Sequence, residues 1–463
     1  MSEIISLISN YLYTYILIIL LIFGGIYFTF KTKLVQFRLF KEQIKSVTEK
    51  STSGVSSFQA LMVSTASRVG TGNIIGVSTA LCLGGFGSVF WMWVIAILGS
   101  AMAFIESTLA QIYKRRDNTG CHGGPAYYIE TALKKRWLAV LFSIFLILTY
   151  GIGFNMLASY NLQSTFSAYS FYNESTSPVI IGFILAVLVG YCLIGGGKRI
   201  IKITSFLVPI MGVLYIFVAL VIVILNINAL PNVFSRIFAE AFDFKSIFAG
   251  FTGSCVMYGI KRGLFSNEAG VGSAPNASAS AEVSHPAKQG LVQVLSVFID
   301  TLLVCTATAF MCMCSGIEPT KALEGAPYVQ KSLQASLGDI GPVFITISMI
   351  LFAFTTLLGN LYYVDRSIIH LNKKVPERKY MVLYYVVASI VIFVGALLDS
   401  KLLWDIADIT MGLMTIINVP VILILGKYAL RTLRDYEMQI KDGKEPVFYA
   451  KNIDLPHKTE YWN

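Results

Sequence analysis

Two interruptions inside membrane-length apolar stretches constrain this 463-residue chain more than any other feature. The first reads R-V-G-T-G-N-I-I-G-V-S-T-A from Arg68, and the second reads R-G-L-F-S-N-E-A-G-V-G-S-A from Arg262. At a shift of 194 positions (262 minus 68), Arg, Asn, Gly, Val and Ala coincide and Thr79 faces Ser273. Five matches in thirteen are weak by themselves in a chain this long. Position gives them weight, because both windows bring glycine and polar groups into apolar segments at corresponding places in two halves. Non-helical backbone is not tolerated against lipid and survives only where it is buried in protein or lines a cavity. The paired breaks therefore predict an interior site built where two membrane helices are discontinuous.

Apolar residues make up 55% of the chain and charged residues 13%, with a mean hydropathy of +0.68. A soluble domain carries about 25% charged residues, so the composition is that of an all-α polytopic membrane protein. Runs of spanning length fall near 11–30, 55–83, 88–113, 137–166, 178–195, 200–226, 245–281, 287–314, 340–369, 379–397 and 402–426, eleven in all. Lys31, Lys33 and Arg38 follow the first run in place of a small-residue cleavage site, which marks it as a retained span. If 31–54, 114–136, 196–202, 282–288, 366–379 and everything after 426 share one side, 28 of the 36 basic residues lie there. The positive-inside rule then places the amino terminus outside and the carboxyl terminus in the cytoplasm of a multi-pass protein of the cytoplasmic (inner) cell membrane. The formal charge of +10 is thereby topological, and no nucleic-acid partner is expected.

The alternation assigns 1–30 to an extra N-terminal helix and 31–54 to a cytoplasmic segment. It assigns 55–227 and 228–426 to two five-span halves and 427–463 to a cytoplasmic tail. Each break falls in the first span of its half, and the two spans run in opposite directions. This is the five-plus-five inverted repeat of discontinuous-helix secondary transporters. Leu34, Phe37, Phe40 and Ile44 alternate with basic residues at helical spacing, which suits an interfacial helix, a basic linker being the alternative. Cys312 and Cys314 have neither zinc-site spacing nor a nearby His, so they read as packing residues.

Gly70-Thr71-Gly72-Asn73 is a poor helix former, so backbone groups are freed there. A half-helix starting near Asn73 presents N–H groups and positive dipole character, which suit a carboxylate. The half-helix ending near Val69 presents carbonyls, which suit an ammonium group or sodium. A glycine packing motif is the alternative reading. Ionisable groups within spans are functional candidates by default. Glu106, Asp300 and the Arg262–Glu268 pair flanking Asn267 are such groups, the alternatives being structural ion pairs and hydrogen bonds.

F-Q-A-L at 58–61, the first break, W-M-W with Glu106 after it, G-G-P-A-Y-Y-I at 123–129, F-N-M at 154–156, the second break, H-P-A-K-Q-G at 285–290 and F-I-D-T at 298–301 resemble the alanine or glycine:cation symporters. The resemblance runs from about Phe58 to Gly412. It implies a fold like that of the bacterial leucine transporter and sodium-driven uptake of a small neutral amino acid. It carries Thr71, Gly72, Asn73, Phe154, Gly263 and Asn360 over as substrate-binding positions. It carries Ala66, Val69, Thr355 and Thr356 over as sodium ligands, with Asp300 a further candidate for cation or proton. Thr355–Thr356 as a back-bonded packing pair is the alternative. Glu106, Arg262, Asn267 and Glu268 become gating or supporting groups, with Glu106 expected on the unwound second break. Relatives usually carry Trp where this chain has Asn360, and Val-Gln where it has Leu157-Ala158. A glutamine- or asparagine-preferring importer is therefore the alternative, and proton coupling is another. The resemblance implies no organic cofactor, and nothing in the sequence indicates an obligatory protein partner. Enzyme function is not expected, since His122, His285, His370 and His457 all fall in loops or the tail.

Overall fold

The computed structural model describes residues 2–49, 54–117, 120–250, 254–455 and 459–462, and they are helical almost throughout. Strand pairing among them is limited to a ribbon of Arg115–Asp117 with Gly120–His122 and a parallel bridge between Val55 and Ala281. Eight helices are long and apolar enough to cross a membrane: Ile4–Lys31, Gly87–Ile112, Arg136–Ala168, Gly196–Leu225, Pro286–Met313, Ile340–Asn372, Arg378–Gly395 and Ser400–Lys441. Each coincides with a run marked in the sequence. The other three expected spans are shorter or interrupted. The 55–83 stretch holds Ser57–Arg68 and Gly72–Gly84, and the 178–195 stretch holds Ser177–Leu193. The 245–281 stretch contains Phe244–Ala249, Cys255–Asn267 and Pro275–Ser278.

Local chemistry sets where these pieces begin and end. Ser56 and Gln59 form a reciprocal capping box, in which Gln59 N–H donates to Ser56 Oγ at 3.2 Å and Ser56 N–H to Gln59 Oε1 at 3.0 Å. The helix leaves its path at Val69, whose ψ is 89°. The Gly70 N–H, which would be orphaned there, donates to Asn73 Oδ1 at 2.8 Å. The second break is longer. Cys255–Asn267 stops where Glu268 turns left-handed (φ 54°), and Gly270 and Gly272 follow at φ 85° and 90°. Only the four residues Pro275–Ser278 resume the helix, so the two breaks are unequal in extent.

The N-terminal helix is no appendage. Leu12 and Phe28 occupy the space left by Gly412 and Gly426 of Ser400–Lys441. The amphipathic segment forms Val35–Arg38 and Phe40–Thr48, with residues 50–53 outside the described set. It buries Gln36 and Gln43 and exposes Leu34, Phe37, Phe40 and Ile44, the polarity that an apolar surrounding favours. Ser400–Lys441 runs well past the expected end of its span, and the tail then folds back. Phe448 N–H donates to Ser284 O at 2.9 Å and Trp462 Nε1 to Gln111 O at 2.7 Å. The buried Lys114 ammonium lies 4.0 Å from the Tyr461 ring centre.

The first broken helix lies against Ile340–Asn372 at Gly359, where a Cβ would come within 2.7 Å of the Ser67 nitrogen. Rigid backbone on that side leaves no room for adjustment. Gly359→Ala should therefore destabilise the protein by about 1–3 kcal/mol. The expected readout is a lower melting midpoint of the purified protein, while Gly212→Ala, with nothing within 4 Å, leaves it unchanged.

Candidate functional site

The two breaks meet at a buried carboxylate. Residues Phe298–Cys305 form a widened turn in the helix Pro286–Met313, and this turn aims Asp300 between the broken helices. Asn73 Nδ2 donates to Asp300 Oδ1 at 2.7 Å. Ser266 Oγ and Thr301 Oγ1 donate to Oδ2 at 2.8 and 2.7 Å. Asn73 belongs to the first break and Ser266 to the end of the helix before the second, so one side chain ties both interruptions together.

The second break is held by two more carboxylates. Gly270 N–H donates to Glu106 Oε1 at 3.4 Å, and Asn418 Nδ2 donates to Glu106 Oε2 at 2.8 Å and to Gly270 O at 3.0 Å. Glu268 accepts from Ser67 Oγ at 3.1 Å and from Ser273 Oγ at 2.6 Å. Ser67 Oγ also lies 2.7 Å from Asn360 Oδ1, and Asn360 Nδ2 donates to Asn155 Oδ1 at 2.9 Å. With one proton, Ser67 serves one of its two acceptors at a time. A polar row thus runs from Glu268 through Ser67 and Asn360 to Asn155, all four buried. Asn267 Oδ1 accepts the Ala269 N–H at 3.0 Å.

Arg68 is 2% exposed and donates from Nη1 to Gln293 Oε1 at 2.9 Å. Its charge acts on Glu106, Glu268 and Asp300 alike. Three buried carboxyl groups thus share one guanidinium.

Arg262 and Glu268 do not pair, contrary to the expectation from their proximity in sequence. Arg262 instead extends from Oδ1 of Asp408 (3.4 Å from Nη1) across the Trp404 ring, with its guanidinium 4.0 Å from the ring centre. Lys261 Nζ shares the same carboxylate at 2.8 Å and donates to Ser9 Oγ of the N-terminal helix at 3.2 Å. Below them Trp404, Phe265 and Phe154 follow one another with centroid spacings of 4.8 and 4.5 Å. Phe265 lies over Gly72, where a Cβ would be 2.8 Å from its ring. A cavity of about 800 Å³ opens above this aromatic column, lined by Ile75, Thr79, Asn161, Arg262 and Trp404 together with Ser6 and Asn10.

The remaining sequence candidates are distributed unevenly. Thr71 Oγ1 accepts from Asn161 Nδ2 at 3.2 Å. Thr356 Oγ1 donates to Ala66 O at 3.1 Å, just before Val69 and the break. Thr355 turns away and donates to Leu351 O at 2.9 Å in its own helix. Gly263 packs on Ile95 and Met92 and does not line the cavity. His370 and His285 sit beside Glu130 and Asp435, His122 lies beside Asp117, and His457 lies outside the described residues. No His/Cys/Asp/Glu group suited to a metal ion occurs among the described residues. Asp408 and Trp404 were missed in the sequence, although an aspartate inside an apolar run was a usable signal. Phe265 and Ser266 stand in the second break and Asn155 in the F-N-M motif without having been singled out, and Ser67 carried no signal.

A sequence profile of the sodium:alanine symporter family matches residues 1–450. The chain is 43% identical over 467 aligned residues to the probable sodium/glutamine symporter GlnT of Bacillus subtilis, covering 100% of this chain and 96% of the relative. It is 36% identical over 438 residues to the sodium/alanine symporter AgcS of Methanococcus maripaludis, covering 92% and 94%. Among solved structures, MhsT in complex with L-phenylalanine superposes with a TM-score of 0.58 at 14% identity, covering 83% of this chain and 97% of MhsT, which shows a shared fold.

Removing the carboxylate shared by Lys261 and Arg262 leaves two buried cations without their partner. Asp408→Asn should cost about 3–5 kcal/mol, and Lys261→Met in the same chain should recover part of it. Melting curves of the purified variants check this, and an unchanged midpoint in Asp408→Asn would contradict it.

Proposed function

The chain belongs to the sodium:alanine symporter family, whose members are membrane transporters and not enzymes, and from that premise we propose that it imports a small neutral amino acid of the alanine or glycine type with sodium by alternating access. The observation that carries this reading is the joining of two broken helices at the buried Asp300, with the Thr356 hydroxyl on the Ala66 carbonyl beside the first break. Oxygen donors at such a break suit a monovalent cation, and the interrupted backbone suits the two ends of a zwitterion.

We read the helical stretches as eleven crossings with the amino terminus outside and the carboxyl terminus in the cytoplasm of the cell membrane. Residues 55–227 and 228–426 are the inverted repeats, 1–30 the additional helix, 31–54 a cytoplasmic surface segment and 427–463 the cytoplasmic tail. The one-sided distribution of Lys and Arg and the fold shared with MhsT support this reading. Sodium is assigned to the carbonyls of Ala66 and Val69 with Thr356 and Thr355, the latter after turning its hydroxyl from Leu351. Asp300 is the acidic alternative. Thr71, Gly72 and Asn73 are assigned to the substrate's charged ends, with Phe154 and Asn360 near its side chain. Gly263 contributes by allowing close helix packing. Glu106, Asn267 and Glu268 hold the second break, and Arg262 on Asp408 closes the outer end.

A second reading, a preference for glutamine or asparagine, is favoured by the name of the GlnT relative, and it requires Asn360 to release Ser67 or Asn155 to meet the substrate.

Uptake into vesicles at clamped pH tests the coupling. Sodium should be required, and an inside-negative potential should stimulate uptake, because each charge moved gains about 2.3 kcal/mol per 100 mV. Full uptake driven by a pH gradient without sodium would overturn it. In the same assay Thr356→Val should raise the sodium concentration needed for half-maximal uptake more than Thr355→Val does, since only Thr356 reaches the break in this conformation. Equal effects, or none, would move the site elsewhere.

Competition separates the two substrate readings. Under the second, unlabelled glutamine or asparagine displaces alanine at least as well as alanine itself, and Asn360→Trp shifts preference toward alanine and glycine. Displacement by alanine and glycine alone would leave the first reading standing.

A further inference from the structure

A second ligand position lies on the outer flank of the bundle, far in character from the polar interior. Helices Ser177–Leu193 and Arg378–Gly395 pack antiparallel. Gly182 meets Ala396 and Phe393 at one end, and Gly190 meets Ser389 toward the other. Between them an open groove of about 500 Å³ is lined by Phe183, Val187, Ile194, Val382, Val386 and Ile390. No other part of the described chain covers it: Phe183 is 61% exposed and Ile390 55%. Its polar lining residue Ser389 has its hydroxyl occupied, donating to Tyr385 O at 2.9 Å. From Phe183 to Ile194 the groove follows eleven residues of chain, about 16 Å of helix. That is half of a hydrocarbon core about 30 Å thick, the depth of a single leaflet.

Any membrane protein shows apolar flanks to lipid, but this groove ends in a basic collar. Ile194 and Val382 mark the same end, because the helices are antiparallel. Just past them come Lys198, Arg199 and Lys202 on one side and Lys373, Lys374, Arg378 and Lys379 on the other, against the single acidic Glu377. Glu377 is taken up by Lys379 at 3.0 Å. No ion pair to Lys198, Lys202, Lys373, Lys374 or Arg378 is found among the described residues. Arg199 folds back on the helix that carries one wall of the groove, its Nη1 donating to Tyr191 O at 2.9 Å and its guanidinium 5.1 Å from the Tyr191 ring centre. Apolar depth of one leaflet, closed at the interface by unpaired cations, matches a molecule with an acyl chain and an anionic head.

We propose that this groove is a binding site for an anionic glycerophospholipid, with one acyl chain between Val187 and Ile390 and the phosphate held by Arg199 and Arg378. Such a lipid would fill the outer seam between the two helices, beside their close contacts at Gly182 and Gly190.

The test uses the full-length protein in bilayers of phosphatidylcholine with a minor fraction of phosphatidylglycerol. Lipid retained after extraction is then counted by native mass spectrometry. The expected result is about one retained phospholipid per chain, with phosphatidylglycerol enriched on the order of tenfold over its share of the bilayer. Arg199→Gln with Arg378→Gln should abolish the enrichment while lipid is still retained. Val187→Trp, at an exposed position that the fold tolerates, should fill the groove and abolish retention. Retention without headgroup preference in the native chain would overturn the proposal, as would an enrichment unchanged by the double Gln variant. A dimer that carries no lipid and is broken by Val187→Trp would also overturn it and give the groove to a second copy of the chain.

Discussion

A peptide group that leaves the helix inside hydrocarbon loses water as a partner, and each one left unmet costs about 1–3 kcal/mol. The interior of this protein is arranged around supplying substitutes. Asn73 takes the Gly70 N–H, Asn267 takes that of Ala269, and Glu106 takes that of Gly270 while Asn418 serves the Gly270 carbonyl. Most of these partners bring charge or a strong dipole with them, and those charges then need an answer of their own. Arg68 and the hydroxyls of Ser67, Ser266 and Ser273 give part of it. Three carboxyl groups are left sharing one guanidinium. On the proposed function, the groups that make the breaks tolerable are also those that receive the cation.

The breaks are also bound to different parts of the bundle. Asp300 joins them to each other, whereas Thr356 and the Asn360–Asn155 pair fasten the first of them to Ile340–Asn372 and to the helix beginning at Phe154. Any rearrangement that opens a path to the midplane must exchange some of these bonds. Ser67, placed between Glu268 and Asn360 with one proton to give, is where an exchange requires least motion.

Much of the fold was legible because its cause is local. Apolar run length located all eight long helices, and the Gly-rich windows located both interruptions. The unequal extent of the breaks was not legible, since the similarity of the two windows suggested equal ones. Glu268 leaving the helix left-handed and Pro275 restarting it are local facts that a window alignment averages away. Partner choice failed for a different reason. Glu268 is six residues from Arg262, but Asp408, 146 residues away, is the group that Arg262 meets, because tertiary packing decides which charges share a cavity. Thr355 and Thr356 show the opposite case. Neighbours on a helix point about 100° apart, so geometry alone allowed only one of them to face Ala66 squarely. The N-terminal helix gave no sequence sign that Ser6 and Asn10 would line the cavity or that Ser9 would meet Lys261.

That cavity has a kinetic side. Lys261, Arg262, Lys321 and Lys401 are set against Glu324, Asp405 and the underlying Asp408, four positive charges to three negative. On the proposed function, a solute entering through this cavity meets a weakly positive rim before the carboxyl groups at the breaks. A zwitterion aligns in such a field with its carboxylate leading, while a bare cation is slowed until it has passed the floor. Dissolved salt, by damping the field over about 10 Å at 0.1 M, would shorten the cation's delay and loosen the zwitterion's alignment at the same time. On that reading, the rates at which the two solutes arrive depend on ionic strength with opposite sign.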